Sequence, residues 1–166
     1  MSYPPPLYLG ETGEPTAWVA AADAPPTLTN QPRNDVHYLA TGEQTGGLFG
    51  LYRWEFGPAR SGPDPHFHRS ISESFYILEG TVAIHDGRGW RQTRAGDFLH
   101  VPPGGVHGFR NESGEAASML LLFTPGAPRE EYFETLVDLA QGRREPMGPE
   151  ERAEFMLRHD TFWLED

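Results

Sequence analysis

Glycine and proline punctuate this chain at short intervals, and that spacing constrains the fold more than any other feature. Gly (19) and Pro (16) together exceed a fifth of the 166 residues, too many for a helical bundle. Between the breakers lie short apolar or alternating runs, near 36–40, 48–56, 66–69, 73–79, 81–85, 90–94, 98–101, 106–111 and 117–124. The separators are turn formers, such as Asp86-Gly87-Arg88-Gly89, Ala95-Gly96-Asp97 and Pro102–Gly105. Many short strands with such punctuation predict an antiparallel sandwich or barrel.

The pattern changes at both ends. Residues 1–34, rich in Pro, Thr and Ala, read as an extended arm that could pack across a partner subunit. Residues 35–125 read as the barrel. Residues 126–166 read as a helical segment packing on it. There Pro128 fits a first helical position, and apolar residues at 132, 133, 136, 137 and 140 form a stripe closed by Gly142. A second helix is predicted near 149–158.

Composition excludes several function classes. The net charge is −11, from 24 acidic and 13 basic residues, without the basic stripe of a nucleic-acid binder. No nucleic acid or membrane partner is expected. With no cysteine, thiolate nucleophiles, iron–sulfur clusters and Cys-type zinc sites drop out. The start MSYPPPLYLG lacks the basic and apolar regions of a signal peptide, so a cytoplasmic location is expected.

Three of the seven histidines fall into an arrangement with chemical meaning. His66 and His68, two apart on a strand, send both imidazoles to one face. Glu73 follows at the start of the next strand, and His107 follows the Pro-Pro-Gly-Gly turn. If these strands are neighbours in a barrel, three imidazoles and one carboxylate converge on a point. Such a donor set suits one divalent transition metal ion (Fe, Ni, Mn, Co or Zn) and leaves coordination positions open for a substrate.

These residues resemble the cupin superfamily. His66-Phe67-His68, Glu73 and Gly80 match its first motif, HxH(x)4E(x)6G. Gly96, Pro102, Gly104, His107 and Asn111 match the second, G(x)5PxG(x)2H(x)3N, at every fixed position. One departure is Arg60, which stands where the first motif usually begins with glycine. The resemblance covers about residues 35–125. It implies an all-β double-stranded β-helix (jelly-roll) barrel, a metal near the wider mouth, and a homodimer, as in many members. TGEQTGG (Thr41–Gly47), FYILEG (Phe75–Gly80) and the helix after LLLFTPG look like the quercetin-2,3-dioxygenase-like branch.

That resemblance implies a metal-dependent dioxygenase acting on a small aromatic, flavonol-like or enolic substrate, with Glu73 also accepting a substrate proton. Two other readings stay open: a non-redox isomerase or polyketide-type cyclase, and a small-molecule-binding cupin without turnover. By strand parity Phe75 and Ile77 share the face of Glu73, and Phe109 that of His107. Trp54 and Phe123 could join them in an aromatic wall for substrate, although core packing explains any single one equally well. Asn111 reads as a structural turn residue. His100 reads as a surface or packing residue rather than a second base.

Overall fold

The computed structural model describes residues 2–164; Met1, Glu165 and Asp166, at the ends of the expected arm and helical segment, lie outside the described residues. Strand β1 (Leu28–Asn30) pairs antiparallel with β2 (Asn34–Ala40), which pairs with β3 (Gly50–Phe56). Strand β10 (Ala117–Thr124) lies between β3 and β5 (Ser72–Glu79), and β5 pairs with β8 (Phe98–Val101). These six strands form one sheet in the order β1-β2-β3-β10-β5-β8.

The opposing wall is built from shorter pieces. Strand β6 (Thr81–His85) lies between β7 (Trp90–Arg94) and β9 (Gly108–Arg110). Strand β4 (His66–Phe67) pairs with β11 (Phe162–Trp163), and a single bridge between His66 and His107 connects β4 to the start of β9. The two walls are those of a double-stranded β-helix.

Strict alternation explains why β10 is central. Ala117, Met119, Leu121 and Phe123 are buried, and the residues between them are half-buried. A period of two places all four apolar side chains on the inner face. There they meet Val36, Tyr52, Ile77 and Val82, none more than 1% exposed.

Helix α1 (Glu130–Ala140) buries Tyr132, Phe133 and Val137, and α2 (Pro149–Arg158) buries Phe155 and Met156. The Tyr132 and Phe155 rings stack at 5.6 Å, holding the helices together. The Tyr52 hydroxyl donates to Glu130 Oε1 at 2.5 Å, fixing α1 to the long sheet. Burial and that carboxylate both raise the Tyr52 phenol above its ordinary value. Gly142 follows α1 at φ +68°, the left-handed conformation of a C′ residue.

Three boundaries differ from the sequence reading. The expected arm of residues 1–34 ends in strand β1, because Leu28–Asn30 hydrogen-bond to β2. Pro128 precedes α1 rather than opening it, with Arg129 as the N-cap residue. The segment after α2 contains β11, which two residues of unremarkable sequence could not announce.

The Arg60 departure has a local reason. Gly62, two residues on, adopts φ +132°, and a Cβ there would lie 2.0 Å from the Phe109 carbonyl oxygen. Gly62 therefore permits the close approach of this loop to β9.

Candidate metal centre

His66, His68, Glu73 and His107 converge as their spacing predicts. One ligand atom from each lies within 4.8 Å of all the others, and all four residues are buried. Two come from β4 and the residue after it, one from β5, and one from the residue that leads into β9.

Each imidazole is held by its other nitrogen. His66 Nδ1 faces the Asp64 carbonyl oxygen at 2.9 Å, His107 Nδ1 that of Gly105 at 3.0 Å, and His68 Nδ1 that of Asp160 at 2.6 Å. A carbonyl oxygen only accepts, so each Nδ1 carries the proton and each Nε2 presents a lone pair to the centre. Ligating histidines are oriented in this way.

Glu73 Oε2 lies 2.7 Å from His107 Nε2 and 3.1 Å from His68 Nε2. Lone pairs and a carboxylate directed at one another in a buried site require a cation between them, either a proton or a metal ion. This donor set, three neutral imidazoles and one carboxylate, fits a divalent transition metal. The titration of His66, His107 and Glu73 shows the same demand. Burial, reinforced by His107, lowers the His66 imidazole to about 3. Burial would also lower His107, but the Glu73 carboxylate outweighs it and raises that imidazole above its usual value. Burial alone would raise Glu73, whereas His107 and His68 hold it well below the carboxylate range.

The centre opens onto a cavity of about 400 Å³ whose wall includes His66 and Glu73. Trp54, Phe109 and Phe123 line it; of these, parity singles out Phe109 alone. Phe75 and Ile77 lie off that wall, each 1% exposed within the core. The Phe75 ring packs 6.0 Å from His107 and 5.5 Å from Phe109, so it backs the site from behind.

Other residues occupy plain structural places. Asn111, fully buried, donates its amide to the Gly57 and Glu115 carbonyl oxygens at 2.9 and 2.7 Å, and accepts from Ser113. His100 is exposed and bonds Ser74 Oγ at 2.9 Å, away from the centre.

The cupin domain family matches residues 52–123, an interval that contains all four converging residues. The chain carries a cupin domain. Within this superfamily it is 34% identical over 112 residues to the quercetin 2,3-dioxygenase of Bacillus subtilis (strain 168). That alignment takes in 68% of this chain and 32% of the Bacillus protein, so the chain spans about a third of that relative. Among solved structures, it resembles a predicted oxalate decarboxylase from Thermotoga maritima (TM-score 0.56, 21% identity, 64% of this chain and 97% of that one). It also resembles KdgF from Halomonas sp. (TM-score 0.54, 16% identity, 74% and 99%). Likenesses at these identities concern the fold. No described helix is long and apolar enough to cross a membrane.

The C-terminal segment contributes what strand parity could not predict. β11 places Trp163 with its ring 5.2 Å from that of His66. The Asp160 carboxylate accepts from the backbone amides of Arg69 and Ser70 and from Ser70 Oγ. Arg129 also lines the cavity. The only signal in the sequence was an arginine beside a helix start, which is commonplace.

Proposed function

We propose that this cupin is a metal-dependent dioxygenase of the quercetinase type, acting on a small aromatic, flavonol-like or enolic substrate. The observation that carries the proposal is the contiguity of the four-residue centre with a cavity walled by aromatic rings. The 34% identity to a quercetin 2,3-dioxygenase supports it.

In this reading His66, His68, Glu73 and His107 hold one divalent metal ion. When bound, such an ion supplies Lewis acidity towards an enolic or phenolic oxygen and, if redox-active, a route for electrons between substrate and dioxygen. Trp54, Phe109 and Phe123 orient the substrate ring through apolar and edge-to-face contacts and exclude water from it. Their own packing supports that role: the Trp54 and Phe109 rings already meet edge-to-face at 5.8 Å. Glu73 faces the same space and accepts the proton that the substrate hydroxyl loses on binding.

Oxygen consumption tests the reading. Metal-loaded protein is mixed with quercetin, and separately with phenylpyruvate, an enolisable aromatic acid, in an oxygen electrode. Uptake that matches substrate loss with either compound is expected. Binding of both compounds without any oxygen uptake would overturn the dioxygenase assignment and leave isomerisation or simple binding.

A further inference from the structure

The cavity wall is charged in a way that the protein as a whole is not. All thirteen basic residues of the chain are arginines, against twenty-four acidic residues. Four of the arginines, Arg33, Arg60, Arg129 and Arg152, line the cavity. Glu73, a residue of the candidate metal centre, is the one acidic residue on that wall among those described. Elsewhere six arginines form ion pairs with carboxylates, at positions 53, 91, 110, 143, 144 and 158. The four on the cavity form none among the described residues.

Arg129 differs from the other three in its burial. They are exposed at the rim, whereas Arg129 is 3% exposed. Its guanidinium packs against the rings of Tyr132 (4.2 Å), Phe123 (5.2 Å) and Phe133 (5.6 Å). A planar cation held by its faces donates through its edges. One edge is used: Nη1 donates to the His159 carbonyl oxygen at 2.6 Å and lies 3.5 Å from Thr161 Oγ1. Nε is buried and has no partner.

Two more donors share this condition. The indole nitrogens of Trp54 and Trp163, both cavity residues, are buried without a partner. Among the described residues, every unpartnered buried side-chain polar atom on the cavity wall is thus an N–H donor. Buried donors are costly to leave unsatisfied, and a buried cation more so. A neutral ligand can offer oxygen acceptors to such donors but leaves the charge of Arg129 unbalanced. A ligand with an anionic oxygen group would accept from such donors and neutralise Arg129.

We infer that the substrate of this cavity is an organic anion, an aromatic bearing a carboxylate or phosphate group apart from the oxygen directed to His66 and Glu73, and that Arg129 anchors that group. Trp54 and Trp163 add hydrogen bonds, and Arg33, Arg60 and Arg152 attract the anion to the mouth. The inference rests on the reading of this cavity as the substrate site, and not on the reaction run there.

Equilibrium binding under nitrogen, with the protein carrying its metal, tests it. The probes are 4-hydroxyphenylacetate, its neutral analogue 4-hydroxyphenylacetamide, and 4-hydroxybenzylphosphonate. At least one anion is expected to bind about tenfold tighter than the amide, the difference that one charge-assisted hydrogen bond makes. Which anion binds tighter distinguishes carboxylate from phosphate recognition. Arg129→Gln is expected to abolish the preference, with the larger loss of affinity falling on the anions. If Arg129→Gln does not fold, Trp54→Phe, which keeps the ring and removes only the donor, is expected to lower the anion preference about threefold. Equal affinity of wild-type protein for amide and anions overturns the inference, as does a preference that survives in folded Arg129→Gln or, failing that, one that is undiminished in Trp54→Phe. A protein that prefers the anion yet consumes no oxygen overturns the dioxygenase reading alone. One that oxygenates quercetin without preferring anions overturns this inference alone.

Discussion

His68 and Asp160, ninety-two residues apart in sequence, are joined by a 2.6 Å hydrogen bond from the imidazole Nδ1 to the backbone carbonyl oxygen. The segment after the last helix therefore orients a residue of the candidate metal centre. The Asp160 side chain reinforces the link, since its carboxylate binds the backbone immediately after His68. Asp160 sits at φ +51°, a conformation that Asp and Asn adopt more readily than most side chains.

Asp160→Asn keeps that backbone preference and removes the charge. It is expected to cost on the order of 1 kcal/mol, from weakened charge-assisted hydrogen bonds to Arg69 and Ser70. The difference depends on pH. Partial burial acts to raise the Asp160 carboxyl, but the hydrogen bonds from Ser70 and Arg69 hold it below its ordinary value. A depressed carboxylate stabilises the fold fully above its unfolded pKa and ceases to do so as pH falls through the folded value. The melting-temperature gap between wild type and variant should thus persist from pH 7 to about pH 4 and close below it. A constant gap down to pH 2.5 would contradict this assignment.

Asn111→Ala tests the turn before β10. The variant leaves the Gly57 and Glu115 carbonyl oxygens without their buried donor. A loss of about 3 kcal/mol in denaturant unfolding is expected from two broken buried hydrogen bonds and the cavity left behind. A loss below about 0.5 kcal/mol, typical of a surface substitution, would show that the amide has no structural role.

The barrel was legible because its signals are local. Alternation in β10, the turn formers between strands, and the two-residue spacing of His66 and His68 each depend on neighbours in sequence. Convergence of Glu73 and His107 followed from motif spacing. Parity identified inward-facing residues but did not tell cavity wall from packed core, so Trp54, Phe109 and Phe123 line the cavity while Phe75 and Ile77 do not. Asp160, Trp163 and Arg129 reach the site through docking of the helical segment, a long-range event without a periodic trace in the sequence.

Glu73→Gln separates the two roles proposed for Glu73. The amide oxygen can still ligate, so part of the metal should remain, but it is a far weaker base. Substrate-dependent oxygen uptake per bound metal should fall by about 100-fold or more. Unchanged uptake would eliminate the proton-accepting role while leaving the ligand role in place.

Elemental analysis tests most directly whether His66, His68, Glu73 and His107 hold one metal ion. Wild-type protein purified without added metal should carry about one transition-metal ion per chain. His107→Ala should lose most of it while its far-ultraviolet circular dichroism still reports the intact barrel. Full occupancy in a folded His107→Ala protein, or a wild-type protein that neither carries nor takes up a divalent transition metal, would contradict a four-residue metal centre.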